Sequence, residues 1–289
     1  VLPGAYAESV VMRVLNPESI QVSLESLGIE PKLFAIVQKE ISKPNGMILT
    51  TGPTGSGKTT ALYAFIRSIN KPGIKIITIE DPIEYHLPGI VQTQVDKKNY
   101  SFAAGLREIL RQDPDVIMVG EIRDRDTAEI AIQASLTGQL LLTTFHADST
   151  ATAISRLIEM GIEPFLVRSG LIAVMSQRLL RLLCTCSRES KDSADFCELP
   201  NIEVVRVPTG CARCNDTGYQ NRAIISEFLD LRNANLANAI LNKGDSREIY
   251  RIAIECGMST LLQQATEMVR QGRTSPLEVR RLLGSAVRL

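Results

Sequence analysis

The sequence predicts an α/β fold: a parallel sheet covered by helices on both faces, with a small cysteine-rich insertion and a helical C-terminal end. Three observations predict it. Short apolar runs at 46–51, 74–79, 116–119 and 139–144 recur at intervals that leave room for helices, as strands buried on both faces require. The first run leads through a glycine-rich stretch, 52–59, into the helical pattern of Thr60-Ala61-Leu62-Tyr63-Ala64-Phe65-Ile66, a strand–loop–helix unit. Five of the six cysteines crowd between Cys184 and Cys214, ahead of a tail punctuated by glycines.

Bulk properties bound the rest. A chain of 289 residues, 44% hydrophobic, is long enough for one large or two ordinary domains with a packed core. Lys+Arg 32 balance Asp+Glu 32, so no direct nucleic-acid partner is expected. No apolar run reaches the ~18–20 residues that span a bilayer, and the N-terminus lacks the charged and apolar regions of a signal peptide. The expected compartment is the cytosol, where clustered cysteines favour a metal over disulfides.

In chain order, Glu8–Leu15 reads as the last strand of a module begun earlier, so 1–30 is expected to be the end of a truncated N-terminal domain and its linker. Arg13 lies in an otherwise apolar run: it either faces outward or, if buried, meets a carboxylate or a phosphate. Pro31–Ser42 is an amphipathic helix carrying Leu33, Phe34, Ile36, Val37 and Ile41.

Gly52-Pro53-Thr54-Gly55-Ser56-Gly57-Lys58-Thr59 fits the phosphate-loop pattern G-x-x-x-x-G-K-[ST] at every fixed position, which predicts binding of a nucleoside triphosphate. Glycines let successive N–H groups curl around the phosphates. Lys58 supplies charge and Thr59 offers a hydroxyl to a phosphate-bound Mg²⁺. The helix starting there, through Thr60, points its free N–H groups at the anion.

In parallel sheets the working residues lie beyond the carboxyl ends of the strands. Beyond the second strand stands Glu80-Asp81-Pro82-Ile83-Glu84, where a carboxylate can orient the attacking water or accept its proton. Beyond the third stands Gly120-Glu121-Ile122-Arg123-Asp124, four apolar residues ending near an acid, as in Mg²⁺-organising strands, with glutamate in place of the usual aspartate. Asp126 and Glu129 are expected to form a capping box that starts the next helix, and Gly138 to end it. Beyond the fourth strand His146, one of two histidines, reads as a γ-phosphate sensor.

The spacing of Gly52–Thr60, of Ile79-Glu80-Asp81-Pro82-Ile83-Glu84-Tyr85, of Leu110 through Asp124 and of Thr144-Phe145-His146 resembles the secretion ATPases of the type II secretion and type IV pilus assembly family. In that family these stretches are the phosphate loop, the aspartate box, the Walker B region and the histidine box. The resemblance runs from about Glu8 to Arg288. It implies a RecA-like ATPase core over 31–183, a cysteine-rich metal-binding subdomain over 184–228 and a helical subdomain over 229–289, with 1–30 the end of a PAS-like domain. By position it assigns phosphate to Lys58, the metal to Thr59, the attacking water to Glu84, the Mg²⁺ shell to Glu121 and the γ-phosphate to His146. Arg13 would reach the nucleotide when two lobes close. The chain departs from the family at His146-Ala147-Asp148-Ser149, where histidine-threonine-asparagine-aspartate is frequent, and at Ser9, where arginine is.

Cys184-Thr185-Cys186 and Cys211-Ala212-Arg213-Cys214 stand 24 residues apart, and the second pair has the C-x-x-C spacing of structural zinc knuckles. A four-thiolate Zn²⁺ site is inferred, although the first pair is one residue short and Cys197 is an alternative ligand to Cys184 or Cys186. With few large apolar residues in this loop, the metal is expected to supply its folding energy. The tail reads as helices at about 234–241, 246–256, 259–271 and 275–283.

The resemblance therefore implies a homohexameric motor using ATP, Mg²⁺ and Zn²⁺, cytoplasmic and peripheral to the inner membrane, docked on platform proteins there to drive pseudopilus or pilus assembly. The cysteine lobe favours this over the retraction branch. The alternatives are pilus retraction, DNA uptake or conjugation, or a nucleotide-dependent scaffold with vestigial hydrolysis.

Overall fold

Within each apolar run, alternate residues face opposite sides of the sheet. Met47, Leu49, Ile77, Ile79, Ile117, Val119 and Leu141 enter one core, and Ile48, Ile76, Val116, Met118, Leu140 and Leu142 enter another. A sheet buried on both faces follows from that pattern. In the computed structural model, which describes residues 2–3, 7–10, 22–96, 100–197, 199 and 202–284, this sheet has seven strands.

Helix α1 (Pro31–Ile41) precedes β1 (Gly46–Thr51) and α2 (Lys58–Ile69); β2 (Ile76–Glu80), β3 (Val91–Gln94) and α3 (Phe102–Leu110) follow. Next come β4 (Val116–Val119), α4 (Arg125–Leu136), β5 (Leu140–Phe145), α5 (Thr150–Glu159) and α6 (Pro164–Gly170). Strand β6 (Leu171–Leu183) leads into a small hairpin of β7 (Arg188–Ser190) and β8 (Val205–Val207), and β9 (Tyr219–Asp230) returns to the main sheet. The chain continues through α7 (Ala234–Leu241), α8 (Ser246–Glu255), α9 (Leu261–Arg270) and α10 (Pro276–Leu283). Across the sheet the order is β9-β6-β1-β5-β4-β2-β3, with every neighbouring pair parallel except β9 with β6. Helices α1 and α2 pack on one face, and α3 to α8 on the other. Near the N-terminus, Leu2–Pro3 pairs with Glu8–Ser9; Arg13 and the rest of the strand expected over 8–15 lie outside the described residues, save Val10.

The four strands read from the sequence are found within two residues of their expected ends, and the four tail helices likewise. One expected cap differs. Helix α4 begins two residues earlier than a cap at Asp126 would require, because Asp124 adopts an extended conformation and its carboxylate accepts from Thr127 N at 2.8 Å. Asp126 then sits in the first turn, where its charge favours the helix dipole, and Glu129 pairs across one turn with Arg125 at 4.0 Å. The long strands β6 and β9 were not anticipated. Residues 219–228, read as part of the cysteine lobe, belong to the sheet because β9 pairs with β6 from Tyr219 to Asp230.

Candidate functional site

Register places the carboxyl ends of β1, β5, β4 and β2 side by side: Thr51 lies opposite Phe145, Val119 opposite Thr143 and Ile79 opposite Val119. The loops beyond them are therefore forced onto one edge of the sheet, where they enclose a cleft of about 740 Å³. Thr51 ties two of these loops together, its hydroxyl donating to Ala147 O at 2.8 Å and accepting from Ala147 N at 2.9 Å.

The phosphate loop leaves β1 at Gly52, whose φ of +144° and the absence of a Cβ are both needed, since a Cβ there would lie 2.6 Å from Gln177 O. Gly57, at φ +88°, turns the chain into α2, whose first N–H groups have no side-chain cap and so remain available to an anion. Lys58 lies on the cleft but is only 9% exposed, and its ammonium donates back to Gly52 O at 2.8 Å and Pro53 O at 3.0 Å. Burial pushes this ammonium below its ordinary range, while the nearby Glu121 carboxylate opposes the shift. Thr54, Gly55, Thr59 and Thr60 line the same cleft.

The acidic loop after β2 sorts itself by contacts. Glu80 is buried and accepts from the Tyr63 hydroxyl, from Thr78 Oγ1 at 2.6 Å and from Gln92 Nε2 at 3.1 Å, so its carboxylate is occupied in holding β2, β3 and α2 together. Burial and this carboxylate push the Tyr63 hydroxyl far above its ordinary range. Asp81 faces Arg123 at 4.0 Å, and Glu84 stands half-buried on the cleft wall.

After β4, Gly120 N donates to Ile79 O at 2.8 Å and Ile122 N to Thr144 O at 3.0 Å, which seats Glu121 between β2 and β5. Its side chain, 15% exposed, pairs with Arg123 and lies 3.4 Å from His146 Nε2. Arg156 holds the His146 carbonyl from behind and stacks 5.5 Å from the Phe145 ring centroid. The structure thus brings Lys58, Thr59, Glu84, Glu121 and His146 to one cleft.

This donor set fits a metal-bound polyphosphate. A ring of N–H groups and one buried ammonium attracts the anion, while Glu84, Glu121 and Asp81 repel it unless a divalent cation stands between. The Thr59 hydroxyl and Glu121 carboxylate are the hard oxygen ligands Mg²⁺ prefers.

Two residues at this site escaped the sequence reading. Gln177 and Arg178, from β6, lie beneath the phosphate loop; Gln177 Nε2 donates to Ser56 O at 2.9 Å, and Arg178 donates to Gln177 O at 3.0 Å and Asp148 O at 2.8 Å. Burial lowers the Arg178 guanidinium from its ordinary range. Nothing in the local pattern marks them, because their strand was not recognised as one.

A second centre forms beyond β6. The thiols of Cys184, Cys186, Cys211 and Cys214 lie within 4.8 Å of one another, with Sγ pairs at 3.9 Å (Cys184–Cys211 and Cys186–Cys214) and 3.7 Å (Cys211–Cys214). A tetrahedral site with Zn–S bonds of about 2.3 Å has edges of about 3.8 Å, so the cluster can hold such an ion. The short Cys-x-Cys pair reaches the cluster because its two thiols approach different partners across it. Cys197 is outside this cluster. Gly218 N and Cys211 N each lie 3.2 Å from Cys214 Sγ, as donors to a thiolate would.

Among the described residues no helix is long and apolar enough to cross a membrane. The profile of the family described as Type II/IV secretion system protein matches residues 1–281. The chain is 45% identical over 289 residues to Type II secretion system protein E of Pseudomonas aeruginosa, a match covering 97% of this chain and 57% of that protein. It is 41% identical over 288 residues to Type II secretion system ATPase E of Vibrio cholerae, with the same 97% and 57% coverage. The chain thus spans little more than half the length of these relatives. Among solved structures it is similar to the pilus retraction motor PilT with bound ADP, at a TM-score of 0.61 and 28% identity over 93% of this chain and 71% of that one. The ATPase DotB of Legionella pneumophila shares the fold, at a TM-score of 0.65 and 23% identity over 90% of this chain and 64% of that one.

Proposed function

The chain belongs to the Type II/IV secretion system protein family, and from that premise we propose that it is an ATP-hydrolysing motor that drives pseudopilus assembly for type II secretion or type IV pilus extension. The observation that carries this reading is the convergence of Lys58, Glu84, Glu121 and His146 on one cleft. A scaffold that only held nucleotide would need the loop, but not two carboxylates and an imidazole beyond it.

When bound, Mg²⁺ neutralises charge on the terminal phosphates and so eases transfer of the γ-phosphoryl group to water. The residues of the chain do the rest. The 52–57 backbone and the first turn of α2 hold the phosphates, and Lys58 turns its ammonium from the loop carbonyls to them. Thr59 and Glu121 hold the cation. Glu84 orients the attacking water and accepts its proton. His146, steadied by Glu121 and Arg156, donates a hydrogen bond at the γ-phosphate. Arg13 belongs to the same site when the N-terminal lobe closes on it, and the four thiols hold a structural Zn²⁺.

The motor works as a homohexamer, cytoplasmic and peripheral to the inner membrane, passing its motion to platform proteins there. Relatives named for type II secretion at 45% identity favour secretion over retraction, whose motor matches at 28%. Steady-state ATPase activity measured against protein concentration, with oligomeric mass followed in parallel, tests the reading. Activity per subunit is expected to rise as hexamers form. Tight ATP binding with negligible turnover at every concentration and oligomeric state would refute it.

A further inference from the structure

Strand β6 runs beside β1 and passes under the phosphate loop. We propose that Gln177 is a positioning residue of the nucleotide site, fixing the Ser56–Gly57 peptide from behind so that the Gly57 N–H faces the phosphates. This rests on the ATPase reading above.

The Gln177 side chain is fully buried, at 0% exposure, and its amide donates to Ser56 O at 2.9 Å. In a trans peptide the carbonyl and the following N–H point to opposite sides. A carbonyl pinned towards β6 therefore turns the Gly57 N–H away from β6 and towards the cleft that Gly57 lines. The fit is close, since a Cβ on Gly57 would lie 3.2 Å from the same Nε2.

The brace is itself held rigidly. Arg178 Nη1 donates to the Gln177 carbonyl that underlies Gly52, and Arg178 Nη2 donates to Asp148 O in the loop that carries His146. Across the sheet Gln177 lies opposite Ser226, whose N–H and carbonyl are taken by the Gln264 side chain of α9 at 3.1 and 2.6 Å. Among the described residues Gln177 Oε1 has no hydrogen-bond partner, so the bond to Ser56 O is what the buried amide gains in exchange for its desolvation. A strand residue placed there only to fill space would be apolar, as Met175 and Leu180 on the same strand are.

The test is equilibrium titration of the whole chain with ATP and with ADP, alongside melting without nucleotide, for wild type, Lys58→Ala and Gln177→Met. Methionine keeps the length and lacks the donor. Gln177→Met is expected to raise both Kd values about tenfold, which is about 1.4 kcal/mol. KM should rise by about the same factor with kcat within about threefold, because the loop holds ground and transition states alike. Gln177→Asn, whose amide is withdrawn by one methylene, should show the same rise and serves if the methionine variant does not fold. Unchanged Kd values in a folded variant would overturn the proposal, as would a rise that merely tracks a fall of more than about 10 °C in melting temperature. If wild type and Lys58→Ala bind ATP alike, it is the ATPase reading that fails.

Discussion

Glu278 offers the sharpest test of how the helical end is fastened to the sheet. Its side chain is wholly buried at the start of α10, yet it accepts five hydrogen bonds: from Arg181 N, Nε and Nη2 at 3.1, 2.9 and 2.6 Å, and from Arg281 Nε and Nη2, both at 2.7 Å. Burial alone would raise this carboxyl, but the two guanidinium groups overcome it and hold it at about 2. The fall from about 4.3 in the unfolded chain to about 2 corresponds to about 3 kcal/mol of folding stability at neutral pH. The sign follows from the depressed value: the contribution is full above the unfolded-state pKa of about 4.3 and is lost as pH falls through about 2. Glu278→Gln removes the charge at nearly constant shape. Urea unfolding at pH 7 should therefore place it about 2–3 kcal/mol below wild type, the lower figure allowing Arg181 and Arg281 to recover water at their exposed edges. At pH 3 the gap should shrink to about half, because the wild-type carboxyl is by then almost fully protonated in the unfolded chain while it stays mostly ionised in the folded one. A gap below about 0.5 kcal/mol at pH 7, or one that does not narrow in acid, would refute the idea that this ion cluster clamps α10 to β6.

Two further outcomes test the two centres separately. Glu121→Gln should leave ATP affinity within about threefold of wild type while turnover falls by about 10²–10³, the range for losing one group that stabilises transition-state charge; retained turnover in steady-state assays would remove Glu121 from the chemistry. Cys211→Ser should lose bound zinc, measured by metal analysis, and open the turns around 184–187 and 208–218 to protease. Protection of β8 should persist, since Val205 and Val207 are buried against Leu261, Met268 and Val269; unchanged cleavage after verified zinc loss would show that the metal is not the staple of those turns.

The cysteine lobe looked too poor in large apolar residues to hold itself, and by itself it is. Leu199, Val205 and Val207 find their core on α9 and α10, which lie some fifty residues or more further along the chain. No local pattern could show this, since the partners are brought together only when β9 closes onto β6.

The same division runs through the nucleotide site. The loop residues were legible because backbone approach to a phosphate needs glycine, charge and hydroxyl at fixed offsets, and because strands buried on both faces announce themselves as short apolar runs. Strand β6 did not. Leu171-Ile172-Ala173-Val174-Met175-Ser176-Gln177-Arg178-Leu179-Leu180 is rich in good helix formers and follows α6 without an intervening loop. Pairing with β1 on one side and β9 on the other overrides that preference. The residues that face the ligand could therefore be read from composition and spacing, while those that aim them could not. Gly52 shows both demands at one position. Phosphate binding asks for a residue that bends freely, and the Gln177 carbonyl, 2.6 Å from where a Cβ would stand, asks for one with no side chain. Enlarging Gly52 would thus push the loop off its brace as well as strain its backbone, and the nucleotide site would lose its aim before it lost its charge.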